Sequence, residues 1–86
     1  MADVIIYTRD GCPYCTRAKN LLSAKGADFT EFNASEKPEY RQEMMTRSGR
    51  STFPQVFVNG KHLGGCDDIH ALDAEGGLDP LLAQGA

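Results

Sequence analysis

The apolar run Val4-Ile5-Ile6-Tyr7 stops at a loop of turn residues, Thr8 to Gly11. Beyond it Tyr14, Ala18, Leu21, Leu22 and Lys25 fall at helical spacing, until Gly26 ends the pattern. The chain therefore opens as a buried strand, a loop and an amphipathic helix, with Cys12-Pro13-Tyr14-Cys15 at the junction. A strand followed by a helix and then by a second strand constrains the fold strongly. The two strands pair in parallel through a right-handed crossover, and the helix covers one face of a sheet.

The second strand is Asp28-Phe29-Thr30-Glu31-Phe32-Asn33, half-buried through Phe29 and Phe32. Ser35 is expected to cap a second helix, with Pro38 in its first turn and Tyr40, Met44 and Met45 on its inner face. Gln55-Val56-Phe57-Val58 and Lys61-His62-Leu63 read as strands three and four. Asn59-Gly60 between them is a two-residue hairpin turn, because both positions favour positive φ. Gly64-Gly65 breaks into a helix opened by Asp67-Asp68 with Ile69 and Leu72 inward. Gly76-Gly77 then precedes a short helix holding Leu78, Leu81 and Leu82. The order is β-α-β-α-β-β-α-α, an α/β domain with a four-stranded mixed sheet flanked by helices. At 86 residues the expectation is one domain over residues 1–86.

Two cysteines three positions apart lie one helical turn from each other, close enough to form or break a disulfide. Cys12 falls at the helix N-terminus, where the unpaired N–H groups of Tyr14 and Cys15 and the helix dipole favour a thiolate. Arg9 adds positive charge from the same loop, and Asp10 opposes it if its carboxylate faces the sulfur. Cys15, inside the first turn, is expected to be more buried and less ionised. That asymmetry makes Cys12 the attacking thiol and Cys15 the resolving one. The competing reading is a zinc site, which needs four ligands. His62, Cys66 and His70 are each four apart, but the change from strand to helix through Gly64-Gly65 spoils one ligand face. The two histidines read as ordinary surface residues.

Two further segments carry chemistry. Thr52-Phe53-Pro54 puts a proline directly ahead of a central strand, where it cannot donate to the ladder. A cis bond there leaves the N–H and C=O of Phe53 free for an extended peptide-like ligand; a trans proline that begins the strand is the alternative. Gly64-Gly65-Cys66-Asp67-Asp68 lets a ligand approach backbone at a helix N-terminus. Its two acids either receive an amine or cap the helix.

Tyr7-Thr8, Cys12-Pro13-Tyr14-Cys15, Thr52-Phe53-Pro54 and Gly64-Gly65-Cys66-Asp67-Asp68 together resemble the dithiol glutaredoxins, nearest to the small bacterial glutaredoxin 3 type. Ala71-Leu72-Asp73-Ala74 and Gly76 to Leu82 extend the likeness over nearly the whole chain. The resemblance implies a thioredoxin-like fold, glutathione as cosubstrate and no tightly bound cofactor. It implies Cys12 and Cys15 as the catalytic pair, Tyr14 beside bound glutathione, and Arg9 near the glycyl carboxylate in place of the usual lysine. The Phe53 main chain would meet the cysteinyl part, with Pro54 cis and Thr52 also among the glutathione-binding residues, and Gly65, Cys66 and Asp67 would hold the γ-glutamyl end. Phe53 stands where the family usually has valine. Its backbone bonds survive the change, while its ring narrows the groove or alters substrate choice. Cys66 reads as a passive pocket residue.

The implied activity is reduction of protein–glutathione mixed disulfides by Cys12 alone, and of protein disulfides by both thiols. Implied partners are glutathione and glutathionylated or disulfide-containing proteins, ribonucleotide reductase being one candidate. The rivals are a thioredoxin-like carrier served by a flavoprotein reductase, and an iron–sulfur carrier sharing a cluster between two subunits. Residues 64 to 68 argue against the first and Pro13 against the second. A formal net charge of −3 argues against nucleic-acid binding. The start Met1-Ala2-Asp3 and its four-residue apolar run fit neither a signal peptide nor a membrane span, so a cytoplasmic location is expected; a monomer is the simplest expectation for the oligomeric state. Three cysteines, two of them close together, suit redox chemistry in a reducing compartment better than a disulfide scaffold.

Overall fold

A computed structural model describes residues 2–84. The elements run β1 Val4–Thr8, α1 Pro13–Ala24, β2 Phe29–Asn33, α2 Glu39–Ser48, β3 Gln55–Val58, β4 Lys61–Gly64, α3 Cys66–Ala74 and α4 Leu78–Ala83. The four strands form one mixed sheet in the order β2-β1-β3-β4. β1 pairs in parallel with β2, from Val4 opposite Phe29 to Thr8 opposite Asn33. β3 runs antiparallel to both β1 and β4, with an irregularity between Val56 and Phe57. At the hairpin Asn59 and Gly60 adopt φ of 52° and 81°, the paired positive values that a tight hairpin turn requires.

Alternation along the strands divides the core in two. Val4 and Ile6 join Val56 and Val58 under Ala18 and Leu22 of α1 and Ile69 of α3, with Leu81 and Leu82 packed against the edge. On the opposite face Tyr7 and Phe57 meet Met44 of α2, flanked by Ile5, Phe32, Tyr40, Met45 and Phe53. Helices α1 and α3 thus share one face of the sheet and α2 covers the other. Leu22, Met44 and Ile69 have no exposed surface, and each such side chain contributes about 1.5–3 kcal/mol through burial.

Two local expectations are corrected. Ser35 does not cap α2. Residues 34–36 form a turn, and the Ser35 hydroxyl instead accepts a 2.9 Å bond from the Asp10 amide, tying that turn to the loop before Cys12. The helix begins after Pro38, whose fixed φ suits a helix start and whose missing N–H is no loss there. Tyr14 is not on the inner face of α1. Cys15, Ala18 and Leu22 make that face, and Tyr14 is turned outward with 53% of its surface exposed.

Candidate active site

The end of β1 and the start of α1 fix the two cysteines. Cys12 has extended backbone (φ −110°, ψ 99°) and occupies the N-cap, its carbonyl accepting the first helical bond from Thr16 at 3.2 Å. Pro13 follows in the first turn of α1. The Cys12 sulfur accepts from the backbone N–H of Cys15 at 3.1 Å; among the described residues this is the amide that reaches it. Cys12 and Cys15 are joined as a disulfide with Cα atoms 5.2 Å apart. Both are buried, Cys12 at 7% exposure being the outer and Cys15 at 2% the inner.

Facing them is the segment that leads into β3. The Phe53–Pro54 peptide bond is cis, and the Phe53 carbonyl oxygen lies 3.9 Å from the Cys12 sulfur. An open cleft of about 230 Å³ extends from here, lined by Tyr14, Arg50, Thr52, Phe53, Pro54, Gln55, Gly65, Cys66, Asp67 and Asp68. The start of α3 forms the cleft's far wall and approaches Pro54 closely. A Cβ on Gly65 would lie 3.1 Å from the Pro54 carbonyl oxygen. The Asp68 carboxylate reaches back to accept from the Gly65 N–H at 2.9 Å, and takes a second bond from the Arg50 guanidinium at 2.8 Å. The Gly65 N–H and then Arg50 hold its carboxyl below the usual aspartate range. Asp67, beside it, is exposed on the cleft. Burial pushes the Cys66 thiol up, against an opposing pull from Arg17, so Cys66 stays protonated near neutrality.

A paired Cys-x-x-Cys at a helix N-cap, opposite a cis-proline segment and a glycine-started helix, is an arrangement for thiol–disulfide exchange on an extended ligand. A family model described as Glutaredoxin matches residues 4–63. The chain belongs to the glutaredoxin family. It is 58% identical over 82 residues to Glutaredoxin 3 of Escherichia coli strain K12, an alignment covering 95% of this chain and 99% of that protein. The solution structure of a Brucella melitensis glutaredoxin superposes with a TM-score of 0.86 at 63% identity, covering 100% of this chain and 94% of the other. The crystal structure of a buckwheat glutaredoxin–glutathione complex superposes with a TM-score of 0.87 at 28% identity, covering 94% of this chain and 76% of the other. The glutaredoxin-like fold expected from the sequence is therefore present, and the chain is a thiol–disulfide oxidoreductase.

In this glutaredoxin the structure gathers most of the residues singled out in the sequence: Tyr14, Thr52, Phe53, Pro54, Gly65, Cys66 and Asp67 all line one cleft beside Cys12 and Cys15. Arg9 is placed differently. It is exposed, its guanidinium rests 3.4 Å from the Asp10 carbonyl, and it is outside the cleft lining. Asp10 is turned to Asn33, whose amide nitrogen donates to its carboxylate at 2.9 Å. The Phe53 ring packs against the Tyr7–Met44–Phe57 cluster. Of the two acids at residues 67–68, Asp68 is the one that caps.

Three contributors escaped the sequence reading. Arg50 lines the cleft and pairs with Asp68, a partner eighteen positions away that only the fold brings near. Gln55 is fully buried and also lines the cleft, although its place in an apolar strand marked it as mere sheet. His62 is half-buried and bonded to Gln55 at 2.7 Å, so it is not an ordinary surface residue. Nε2 of His70 is buried with no hydrogen-bond partner among the described residues, which corrects the same expectation for that histidine. Among the described residues no three His, Cys, Asp or Glu side chains converge as a metal site, and no helix is long and apolar enough to cross a membrane.

Proposed function

We propose that this glutaredoxin uses glutathione as cosubstrate and reduces both protein–glutathione mixed disulfides and protein disulfides. The observation that carries this reading is the position of Cys12, with its sulfur 3.9 Å from the Phe53 carbonyl and beside a cleft that ends at the start of α3. An extended tripeptide with its sulfur at Cys12 would run along the Phe53 main chain. Its γ-glutamyl end would reach Gly65, Cys66 and Asp67, with the α-carboxylate on the helix N-terminus and the ammonium on Asp67. Tyr14 would cover the ligand from α1. Arg9 and Arg50 would be the cations available to its glycyl carboxylate. The buckwheat glutaredoxin–glutathione complex supports the same class of ligand for this fold.

In the monothiol route the Cys12 thiolate attacks the glutathione sulfur of a mixed disulfide. The old S–S bond breaks, the protein leaves as a thiolate that takes up a proton, and Cys12 becomes glutathionylated. A second glutathione thiolate attacks that new disulfide, giving oxidised glutathione and regenerating the Cys12 thiolate. In the dithiol route Cys12 attacks a protein disulfide, and Cys15 then displaces the substrate. That step leaves the Cys12–Cys15 disulfide, and two glutathiones reduce it. The cellular setting that fits is the cytoplasm, with the protein acting as a monomer on glutathionylated proteins and on disulfide enzymes such as ribonucleotide reductase.

The deciding experiment is glutathione-dependent turnover of a glutathionylated peptide by wild type and by Cys15→Ser. Substantial activity in the variant is expected, because Cys12 alone completes the monothiol cycle. Complete loss with Cys12 still reactive would overturn that route and favour a thioredoxin-like carrier.

A further inference from the structure

Gln55 is a fully buried polar side chain at the floor of the cleft, and every part of its amide is engaged. Its Nε2 donates to the Thr52 carbonyl at 3.0 Å and approaches the Thr52 hydroxyl at 3.2 Å. Its Oε1 lies 2.7 Å from Nε2 of His62. Because the amide nitrogen is committed to the Thr52 carbonyl, Oε1 must accept, and His62 must carry its proton on Nε2. The imidazole is itself held, with its ring packed at a 35° tilt against Phe57, 5.0 Å between centroids. Protonation of His62 would leave the Nε2–H donor in place.

From these contacts we propose that Gln55 and His62 are positioning residues. They form a brace from β4 through β3 that sets the Thr52 carbonyl, and with it the main chain of Phe53 that faces Cys12. The inference rests on the proposed glutathione site, since its consequence is read there. Without the His62 donor the Gln55 amide is free to rotate, and the Thr52 carbonyl loses its fixed partner. The Phe53 main chain then meets the ligand from a range of heights, while the Cys12–Cys15 end of α1 is untouched. The brace should therefore govern how tightly a glutathionylated substrate is held, not how fast the bound disulfide reacts.

The test pairs His62→Phe, which keeps a ring on Phe57 but removes the donor, with His62→Gln, which restores an N–H at similar reach. Initial rates are measured with a glutathionylated peptide, alongside thermal melts. His62→Phe should raise KM about three- to tenfold, the size of one buried hydrogen bond, with kcat within about twofold of wild type. His62→Gln should return KM to within about twofold of wild type. If His62→Phe does not fold, His62→Asn, too short to reach Gln55, takes its place. An unchanged KM in the donor-less variant, a loss confined to kcat, or an equal defect in His62→Gln would each overturn the brace. A wild-type enzyme that shows no saturation with the glutathionylated peptide would overturn the glutathione site as well, so the two failures are distinct.

Discussion

The backbone N–H of Cys15 points at the sulfur of Cys12 from 3.1 Å. Both residues belong to one helical turn, so the donor that favours the attacking thiolate is carried by the main chain of the resolving residue. That arrangement survives any side-chain change at position 15 that leaves the helix intact. In Cys15→Ser the alkylation rate of Cys12 should therefore follow a titration well below the free-cysteine value of about 8.5. Iodoacetamide rates across pH would test this, and a midpoint at or above the free value would remove the helix N-cap from the mechanism.

Cys66 is expected to behave in the opposite way. It lines the same cleft, yet only 4% of it is exposed and burial holds its thiol up. In the reduced protein at neutral pH, a small alkylating agent should label Cys12 and leave Cys66 untouched until denaturant is added. Mass spectrometry of peptides from a timed reaction would decide it. Equal labelling of Cys12 and Cys66 in the native state would show that the cleft opens at α3.

The elements that build the sheet were legible because each rests on a local rule. An apolar run marks β1, Asn59-Gly60 marks the hairpin, and Pro13 after Cys12 marks the start of α1. The start of α2 was not legible, because Ser35 is a good cap in isolation and only its bond to the Asp10 amide commits it elsewhere. Tyr14 misled in a similar way: its helical spacing suggests the inner face, but the apolar stripe runs through Cys15, Ala18 and Leu22. The candidate site was legible as three short motifs. What joins them was not. Arg50 to Asp68, and His62 through Gln55 to Thr52, are contacts across elements whose existence depends on strand order and register.

Asp68 lowers the free energy of the fold by satisfying the Gly65 N–H, half of a capping box whose other half a glycine cannot supply. Asp68→Ala should destabilise the protein by about 0.5–1.5 kcal/mol at neutral pH, the worth of one such bond. The exposed ion pair with Arg50 adds little, so Arg50→Gln should change stability by less than about 1 kcal/mol. The folded carboxyl titrates below its unfolded value of 3.8, so its contribution is present above that pH and lost as pH falls through the folded value. Urea unfolding of wild type and Asp68→Ala should differ at pH 7 and converge in strong acid. A gap that persisted or widened on acidification would contradict the assignment.

Gly64 couples to the same carboxylate from the other side. Its φ of +113° is a conformation that residues with a Cβ rarely adopt, and a Cβ built there would lie 2.7 Å from Cβ of Asp68. Gly64→Ala therefore meets two separate penalties, backbone strain of about 1–3 kcal/mol and displacement of the Asp68 side chain from its cap. The strain is independent of residue 68 and the contact with its Cβ persists in alanine, whereas loss of the cap needs the carboxylate to be present. In an Asp68→Ala background the loss of the cap can no longer be felt, because the carboxylate is already gone, while the contact with the residue-68 Cβ remains. A double-mutant cycle in urea should thus give a smaller effect of Gly64→Ala on Asp68→Ala than on wild type. Additive effects would mean that backbone strain and the Cβ contact, with no part played by the cap, set the requirement for glycine at the head of α3.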